Sequence, residues 1–220
     1  MSRFILPLLL GCVLAADSAA AAPLLGLMDG DTYVSPTGQF RVRAPVLPEL
    51  GGEISDSRNV VTFQDNYGTH VSIACFELDA TQRWEFDTRG QRDYLLYFLT
   101  DIVMANFEQR FPGSRVESAR YLPELLDGAL IGYVLLPGGS EFEDYTRVVD
   151  GLTEPITAKR GTLIFVRHRH VYAISTEISE RAMQRSTYRL TREQEDEKLS
   201  ARLLALSGRL TFTNDRPRTP

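Results

Sequence analysis

The chain has 220 residues, 43% of them hydrophobic and 24% charged, which is the composition of a globular protein long enough to bury a core without disulfides. Its formal net charge is −5, and this mild acidity argues against binding a nucleic-acid backbone, which requires a basic face. Beyond the first residues, no apolar run is long enough to span a bilayer.

The start of the chain is typical of a secretory signal peptide over residues 1–21. Arg3 gives a positive start, residues 4–14 form an apolar run too short to cross a bilayer, and residues 15–22 are rich in alanine. Ordinary cleavage of this segment predicts a periplasmic or secreted protein. Residues 22–32 are then expected to form a linker.

A second processing route competes with ordinary cleavage. The sequence Leu9-Leu10-Gly11-Cys12 resembles a bacterial lipobox, which would leave Cys12 as a lipidated N-terminus. Only eleven residues precede Cys12, which is short for a charged start and a membrane-engaging core. Both routes stay open. In the second the protein is an outer-membrane lipoprotein, and Cys12 is its only expected contact with a membrane.

One α+β domain is predicted over residues 33–215, with a short tail at 216–220. Its first third is composed of antiparallel strands. Residues 33–40 form two short strands joined by a Pro-Gly turn, and the runs at 60–64 and 69–78 form a hairpin.

The middle of the domain changes to a helical period. Thr88 and Gln91 fit a capping box, and apolar residues recur at helical spacing as far as Phe107, which predicts a helix lying deep against a sheet. The dipeptide Pro112-Gly113 ends it. Two strands, 115–122 and 129–136, are predicted to follow.

The last third contains a polar loop, a hairpin and a helix. The loop is predicted from residue 137 to about 160, with a short extended piece around 145–149. The hairpin pairs 162–166 with 171–175 through a turn at 167–170. Thr191 and Gln194 form another capping box, the buried stripe of the helix is Leu199, Leu203 and Leu206, and a short strand at 210–212 closes the domain.

This order of elements resembles the PsbP-like fold family, which contains the extrinsic photosystem P subunit, a Ran-binding nuclear import factor and exported bacterial proteins. The resemblance is carried by residues 33–45, by the helix at 91–111, by the hairpin at 161–174, and by the closing helix with Arg-Leu-Thr-Phe at 209–212. It implies an antiparallel sheet packed against two main helices in an α/β/α sandwich, and members that mostly bind or help to assemble something. It transfers no catalytic residue.

A search for chemical motifs finds no nucleophile elbow, phosphate loop, dinucleotide fingerprint, zinc-protease motif or paired cysteines. His168 and His170 are two residues apart and could face one metal ion if they lay in a strand, with His70 as a third ligand. They fall where a hairpin must turn, however, and Arg167 and Arg169 beside them oppose a cation. A solvated basic turn, or a docking site for an acidic partner through these arginines, is the competing interpretation.

Acidic and aromatic residues supply the remaining candidates. Glu141, Glu143 and Asp144, followed by Tyr145, form an acidic loop that could bind a partner or merely be solvated. Trp84 is the only tryptophan and is either a lid over the core or an exposed anchor for a partner.

The sequence therefore favours an exported, non-catalytic binding or assembly module of the bacterial envelope that needs no cofactor and has a protein partner. The alternative is a metal-binding or metal-dependent protein that uses His70, His168 and His170.

Overall fold

The computed structural model describes residues 23–140, 146–149, 152–155, 157–178, 180–181, 187–213 and 215, and only the backbone of 146–149 and 152–155. The leader, Cys12, the acidic loop residues Glu141, Glu143, Asp144 and Tyr145, and the tail at 216–220 lie outside these residues. Within the described part, no helix has the length and apolar character needed to cross a membrane.

Seven antiparallel strands form the main sheet, in the order β4-β5-β6-β12-β11-β8-β7. Their bounds are β4 Glu53–Asp56, β5 Val60–Gln64, β6 His70–Glu77, β7 Arg115–Leu122, β8 Ala129–Leu136, β11 Ala158–Arg167 and β12 His170–Glu177. The hairpins predicted at 115–136 and 162–175 are both present, and β11 and β12 extend beyond their predicted ends.

A smaller antiparallel sheet has the order β1-β2-β3-β13, with β1 Leu27–Asp29, β2 Thr32–Val34, β3 Phe40–Arg43 and β13 Leu210–Phe212. The expected linker at 22–32 therefore contains a strand paired with β2. Asp56 fixes this segment, because its carboxylate accepts hydrogen bonds from the backbone N–H groups of Leu25 and Gly26 and from the Tyr33 hydroxyl, at 2.7–2.9 Å.

The expected loop at 137–160 is only partly a loop. Two short strands, β9 Thr146–Val149 and β10 Leu152–Pro155, pair with each other inside it, and β11 already begins at Ala158. Lys159 and Arg160 are therefore strand residues. Both are buried, with 0% and 7% of their surface exposed.

The helices lie on both faces of the main sheet. Their bounds are α1 Ala80–Arg89, α2 Gln91–Tyr97, a π-helical segment Phe98–Val103, α3 Met104–Arg110 and α4 Arg192–Ser207, with a short 3₁₀ turn at Pro48–Leu50. On one face, α2 to α3 pack on β8 and β11 through residues such as Leu95 and Leu99. On the other, Leu199, Leu203 and Leu206 of α4 and the small sheet cover a second core. The predicted α+β fold with helices on both faces is confirmed.

The two predicted capping boxes have different outcomes. Thr191 and Gln194 form the box at the start of α4, with both reciprocal hydrogen bonds present. Thr88 is instead in the last turn of α1, which begins earlier because the Asp79 carboxylate accepts a hydrogen bond from the Gln82 N–H. Gln91 binds elsewhere, since its amide donates to the carbonyls of Asp127 and Gly128.

Candidate functional site

A groove runs over the face of the main sheet on which α2 and α3 lie. Strands β5, β6 and β12 form this part of the sheet and carry small side chains there. Residues alternate between the faces of a strand, so Ser72 and Ala74 of β6 lie on this side while Ile73 and Cys75 enter the opposite core. Ser175 and Ala173 of β12 are the direct cross-strand neighbours of Ser72 and Ala74. These four residues form a floor on which another molecule can approach the sheet closely.

The wall of the groove is apolar and belongs to the helical stretch after α2. Phe98, Ile102, Val103 and Phe107 line it, with Phe76 at one end, and the enclosed volume is about 660 Å³. The segment Phe98–Val103 is π-helical, with the Met104 N–H donating to the Leu99 carbonyl five residues earlier. π-Helical turns are rare and often occur at functional sites.

Gly132 of β8 lies directly beneath this wall. A Cβ at this position would lie 2.6 Å from Cδ2 of Leu99, so any larger residue would force the buried Leu99 side chain to move. The groove therefore lies beside a helix held close to β8, and α2 to α3 leave the β5–β6–β12 portion of the same face open.

One end of the groove contains a buried ion pair. The Arg160 guanidinium donates to the Ser72 hydroxyl at 2.8 Å and to Oε1 of Glu177 at 3.2 Å, and its Cζ lies 5.6 Å from the centre of the Phe107 ring. Ser140 donates to the other Glu177 oxygen. At the opposite end, Glu77, Asp79 and Gln82 form a polar rim.

The polar groups of the floor are engaged with one another. The hydroxyls of Thr162 and Ser175 lie 3.1 Å apart and share a hydrogen bond, and the Ser72 hydroxyl accepts from Arg160. A hydroxyl becomes a nucleophile when a base accepts its proton, and neither a hydroxyl nor a guanidinium serves as that base. Of the described residues lining the groove, none is histidine or cysteine. The two hydroxyls of the floor are thus held in place by Thr162 and Arg160.

Helix α1 forms the rim of the groove and carries Trp84. Asp79 and Gln82 face the groove, while Trp84 is 62% exposed. The aromatic residue of α1 that packs on α2 is Phe86, whose ring centre lies 5.3 Å from that of Tyr94. The tryptophan is therefore not a lid over the core, and α1, which borders the groove through Gln82, also carries an exposed aromatic side chain.

The structure separates the three histidines. His170 pairs with Glu77 at one end of β6, and His70 is at the other end, seven residues or about 24 Å away. His168 binds Oδ1 of Asp215 at 2.8 Å, and His170 Nδ1 lies 2.9 Å from the His168 carbonyl oxygen. The proposed three-histidine metal site is not formed, and the described residues contain no other group of metal-binding side chains.

The basic turn is a two-residue hairpin loop in which His168 and Arg169 have positive φ angles of 49° and 62°. Arg167 is held within the protein, because its Nε lies 3.0 Å from Asp215 Oδ1 and its guanidinium lies 4.9 Å from the centre of the Phe212 ring. Arg169 is exposed. Of the two candidate arginines, Arg167 is therefore bound to Asp215 and Phe212, whereas Arg169 is exposed and forms no ion pair with the residues that the structure describes.

Sequence reasoning missed a buried ionic cluster on the opposite side of the sheet. The Lys159 ammonium lies 2.5 Å from Asp196, 2.6 Å from Glu117 and 3.2 Å from Glu195. Arg181 and Tyr188 also donate to Glu195, at 2.5–2.8 Å. The cluster joins α4 to the sheet, and its members come from distant parts of the chain, so no local pattern could have indicated it.

Cys75 is buried against Tyr172. Burial is the main cause that raises the pKa of its thiol, to about 11. Because the thiolate is the reactive form, the burial and the raised pKa make Cys75 an unreactive core residue.

Comparison with known proteins adds information on fold. The chain matches no protein-family model and no curated protein. It is similar to the solution structure of cyanobacterial PsbP (CyanoP) from Synechocystis sp. PCC 6803, with a TM-score of 0.48, 11% identity, and coverage of 82% of this chain and 91% of that one. A mutant of the protein Mog1 gives a TM-score of 0.46 and 10% identity, over 84% and 96% of the two chains. The α+β architecture that the resemblance implied is present in the structure itself, and no function is transferred from these proteins.

Proposed function

We propose that the protein is an exported binding or assembly module of the bacterial envelope, without catalysis of its own, and that its binding site is the groove on β5, β6 and β12. The observation that carries this proposal is the row of small residues, Ser72, Ala74, Ala173 and Ser175, beneath an aromatic and aliphatic wall. Export is supported by the charge and apolar pattern of residues 1–21.

The occupant is a segment of an envelope protein that inserts apolar side chains. Ligand sites are mostly apolar with a few placed polar groups, and the groove combines Phe76, Phe98 and Phe107 with the polar groups at its two ends. Trp84, on the same helix as Gln82 but not among the residues that line the groove, adds an exposed aromatic residue of the kind that dominates binding energy at interfaces.

The test is to fill the groove. Ala74→Trp places a large ring on the floor, and Ala105→Trp places the same ring on the exposed side of α3, outside the groove. Crosslinking and pull-down from intact cells should recover a partner with the unmodified protein and with Ala105→Trp, but not with Ala74→Trp. Recovery of the same partner by both variants would contradict the proposal.

The location is tested separately with Cys12→Ser. Ordinary cleavage predicts that this variant fractionates with the periplasm or the medium, as the unmodified protein does. Release from the membrane fraction only in the variant would instead establish the lipoprotein route.

A further inference from the structure

A second, smaller pocket lies on the other side of the main sheet, at the C-terminal end of α4. It is formed by the turn between β5 and β6, which supplies Tyr67 and Thr69, by Pro45 after β3, and by Arg202 and Arg209, and it encloses about 240 Å³. We call it the hairpin pocket. None of its lining residues belongs to the groove.

The hairpin pocket is positively charged although the whole chain carries −5. Arg202 donates to Oε1 of Glu180 at 2.6 Å, and Lys198 lies 2.8 Å from the same oxygen, so two cations share one carboxylate. Arg209 is exposed and has no carboxylate within 4.0 Å among the described residues. An excess of positive charge therefore surrounds the opening.

Negative groups near the pocket are hydrogen-bonded within the protein, which orients them but does not remove their charge. The Asp65 carboxylate accepts from the backbone N–H groups of Tyr67 and Thr69, at 2.8 and 2.9 Å. Carbonyl groups at the end of α4 also carry partial negative charge, but those of Leu204 and Leu206 accept from the N–H groups of Gly208 and Arg209. Among the charged groups named here, Arg202, Arg209 and Lys198 outnumber Glu180 and Asp65 by one, so a net positive charge remains at the pocket.

The remaining lining suits an organic molecule rather than a bare ion. Val71 and Leu206 form an apolar base, with 4% and 6% of their surface exposed, and the Tyr67 ring is 68% exposed at the mouth. Thr176, only 3% exposed, places a hydroxyl-bearing side chain in the wall. Apolar surface next to a guanidinium matches a carboxylate attached to a compact apolar body.

We propose that the hairpin pocket binds a small organic acid, with its carboxylate between Arg202 and Arg209 and its apolar part against Val71, Leu206 and the Tyr67 ring. Arg209 can bind the carboxylate through parallel, charge-assisted hydrogen bonds, which give both affinity and orientation. Arg202, whose terminal nitrogens donate to the Glu177 carbonyl at 3.1 Å and to Glu180 at 2.6 Å, contributes its charge. This proposal is independent of the groove and of its partner.

The first experiment is a titration followed by protein NMR, with benzoate as the probe and benzamide as its neutral counterpart of nearly the same shape. We expect benzoate to shift the signals of Tyr67, Thr69 and Arg209 and to bind at least about tenfold more tightly than benzamide. Equal binding of the two compounds would overturn the role of charge. Inorganic phosphate at matched ionic strength should bind more weakly than benzoate. Phosphate binding of equal strength would overturn the proposed contact between the apolar part of the ligand and Val71, Leu206 and Tyr67.

The second experiment uses variants. Arg209→Gln should weaken benzoate binding by about tenfold, while Arg43→Gln, which removes an exposed arginine of β3, should leave it unchanged. Thr176→Val, which keeps the shape of the side chain, should weaken binding by a few-fold, about the effect of one hydrogen bond. Folding of each variant is checked by circular dichroism. Unchanged benzoate affinity in folded Arg209→Gln, or no benzoate binding to the unmodified protein, would overturn the proposal.

Discussion

Lys159 and Arg160 are consecutive residues of β11, and their buried side chains lie on opposite faces of the main sheet. Lys159 contacts Glu195 and Asp196 of α4, whereas Arg160 contacts Ser72 and the Phe107 ring beside the groove. A strand directs neighbouring side chains to opposite sides, so one dipeptide connects the sheet to both of its outer layers. The charge of Lys159 therefore acts on the contact with α4, and the charge of Arg160 acts on the groove.

Replacing Lys159 with Met is expected to destabilise the protein by about 3 kcal/mol. The substitution keeps most of the volume but leaves Glu117, Glu195 and Asp196 without the cation that they share, and breaking a buried pair from one side costs about 3–5 kcal/mol. The lower end applies because Asp196 is 25% exposed and can partly rehydrate. Urea unfolding measures the change in the free energy of unfolding.

The control for this prediction is Arg43→Gln. Arg43 and Asp31 form a pair with 72% and 61% of their side-chain surfaces exposed. Exposed pairs contribute at most about 1 kcal/mol, so this variant should lie within that range. A similar loss in both variants would show that the Lys159 cluster has no special role in stability.

The same cluster predicts a dependence of stability on pH. Burial alone would raise the pKa of Glu195, but hydrogen bonds from Arg181 and Tyr188 and the charge of Arg181 outweigh it, so the pKa is lowered in the folded protein. An unfolded glutamate has a pKa of about 4.3. The stabilisation from Glu195 is therefore complete above that pH and is lost as the pH falls through the lower, folded pKa.

Glu195→Gln tests this dependence. The variant should be less stable than the unmodified protein at neutral pH, and the difference between the two should shrink as the solution is acidified from about pH 5 to pH 3. Urea unfolding at a series of pH values gives both curves. A difference that stays constant over this range would refute the assignment.

Trp84→Ala should change the free energy of unfolding by no more than about 0.5 kcal/mol, because the side chain is 62% exposed. Phe98→Ala, which removes a residue of the groove wall that is 4% exposed, should cost about 3–5 kcal/mol. Since Trp84 is the only tryptophan, its fluorescence in the folded protein should be strongly quenched by acrylamide. Weak quenching would mean that the indole is covered, and the lid interpretation would return.

Cys75 should resist thiol reagents in the folded protein, because its thiol is 5% exposed and its pKa is raised to about 11. The measurement is the rate of labelling by a chromogenic disulfide reagent at mildly alkaline pH, in a Cys12→Ser background so that Cys75 is the only thiol. Labelling should be fast in denaturant and slow without it. Equal rates would contradict the buried position.

Local patterns in the sequence were sufficient for much of the fold. The strands Arg115–Leu122 and Ala129–Leu136 occur as predicted because their hydrophobic runs are bounded by turn residues, and the box of Thr191 and Gln194 starts α4 as expected. Thr88 fits the same capping pattern but lies inside α1. Asp79 is the N-cap instead, and a second helix starts after Gly90, whose φ of 77° is unfavourable for other residues.

The candidate site was less accessible to sequence analysis. Lys159 and Arg160 fall within the loop predicted at 137–160. Charged residues are rarely buried, and the burial of these two depends on Glu195 and Glu177, which are distant in sequence. The groove floor likewise depends on the register that sets Ala74 against Ala173. Trp84 was selected as a candidate because it is the only tryptophan, and its 62% exposure follows from a contact that the sequence does not show, the packing of Phe86 on Tyr94.

The central claim is that the groove is where a partner binds, and site-specific photocrosslinking in living cells tests it most directly. A photoreactive phenylalanine derivative would replace Phe76 in the groove or Leu50 outside it, two positions with 38% and 41% exposure. The account predicts a discrete crosslinked product from position 76 that is absent from position 50 and disappears when Ala74→Trp is added. No product from position 76, or a product that persists with the groove filled, would contradict it.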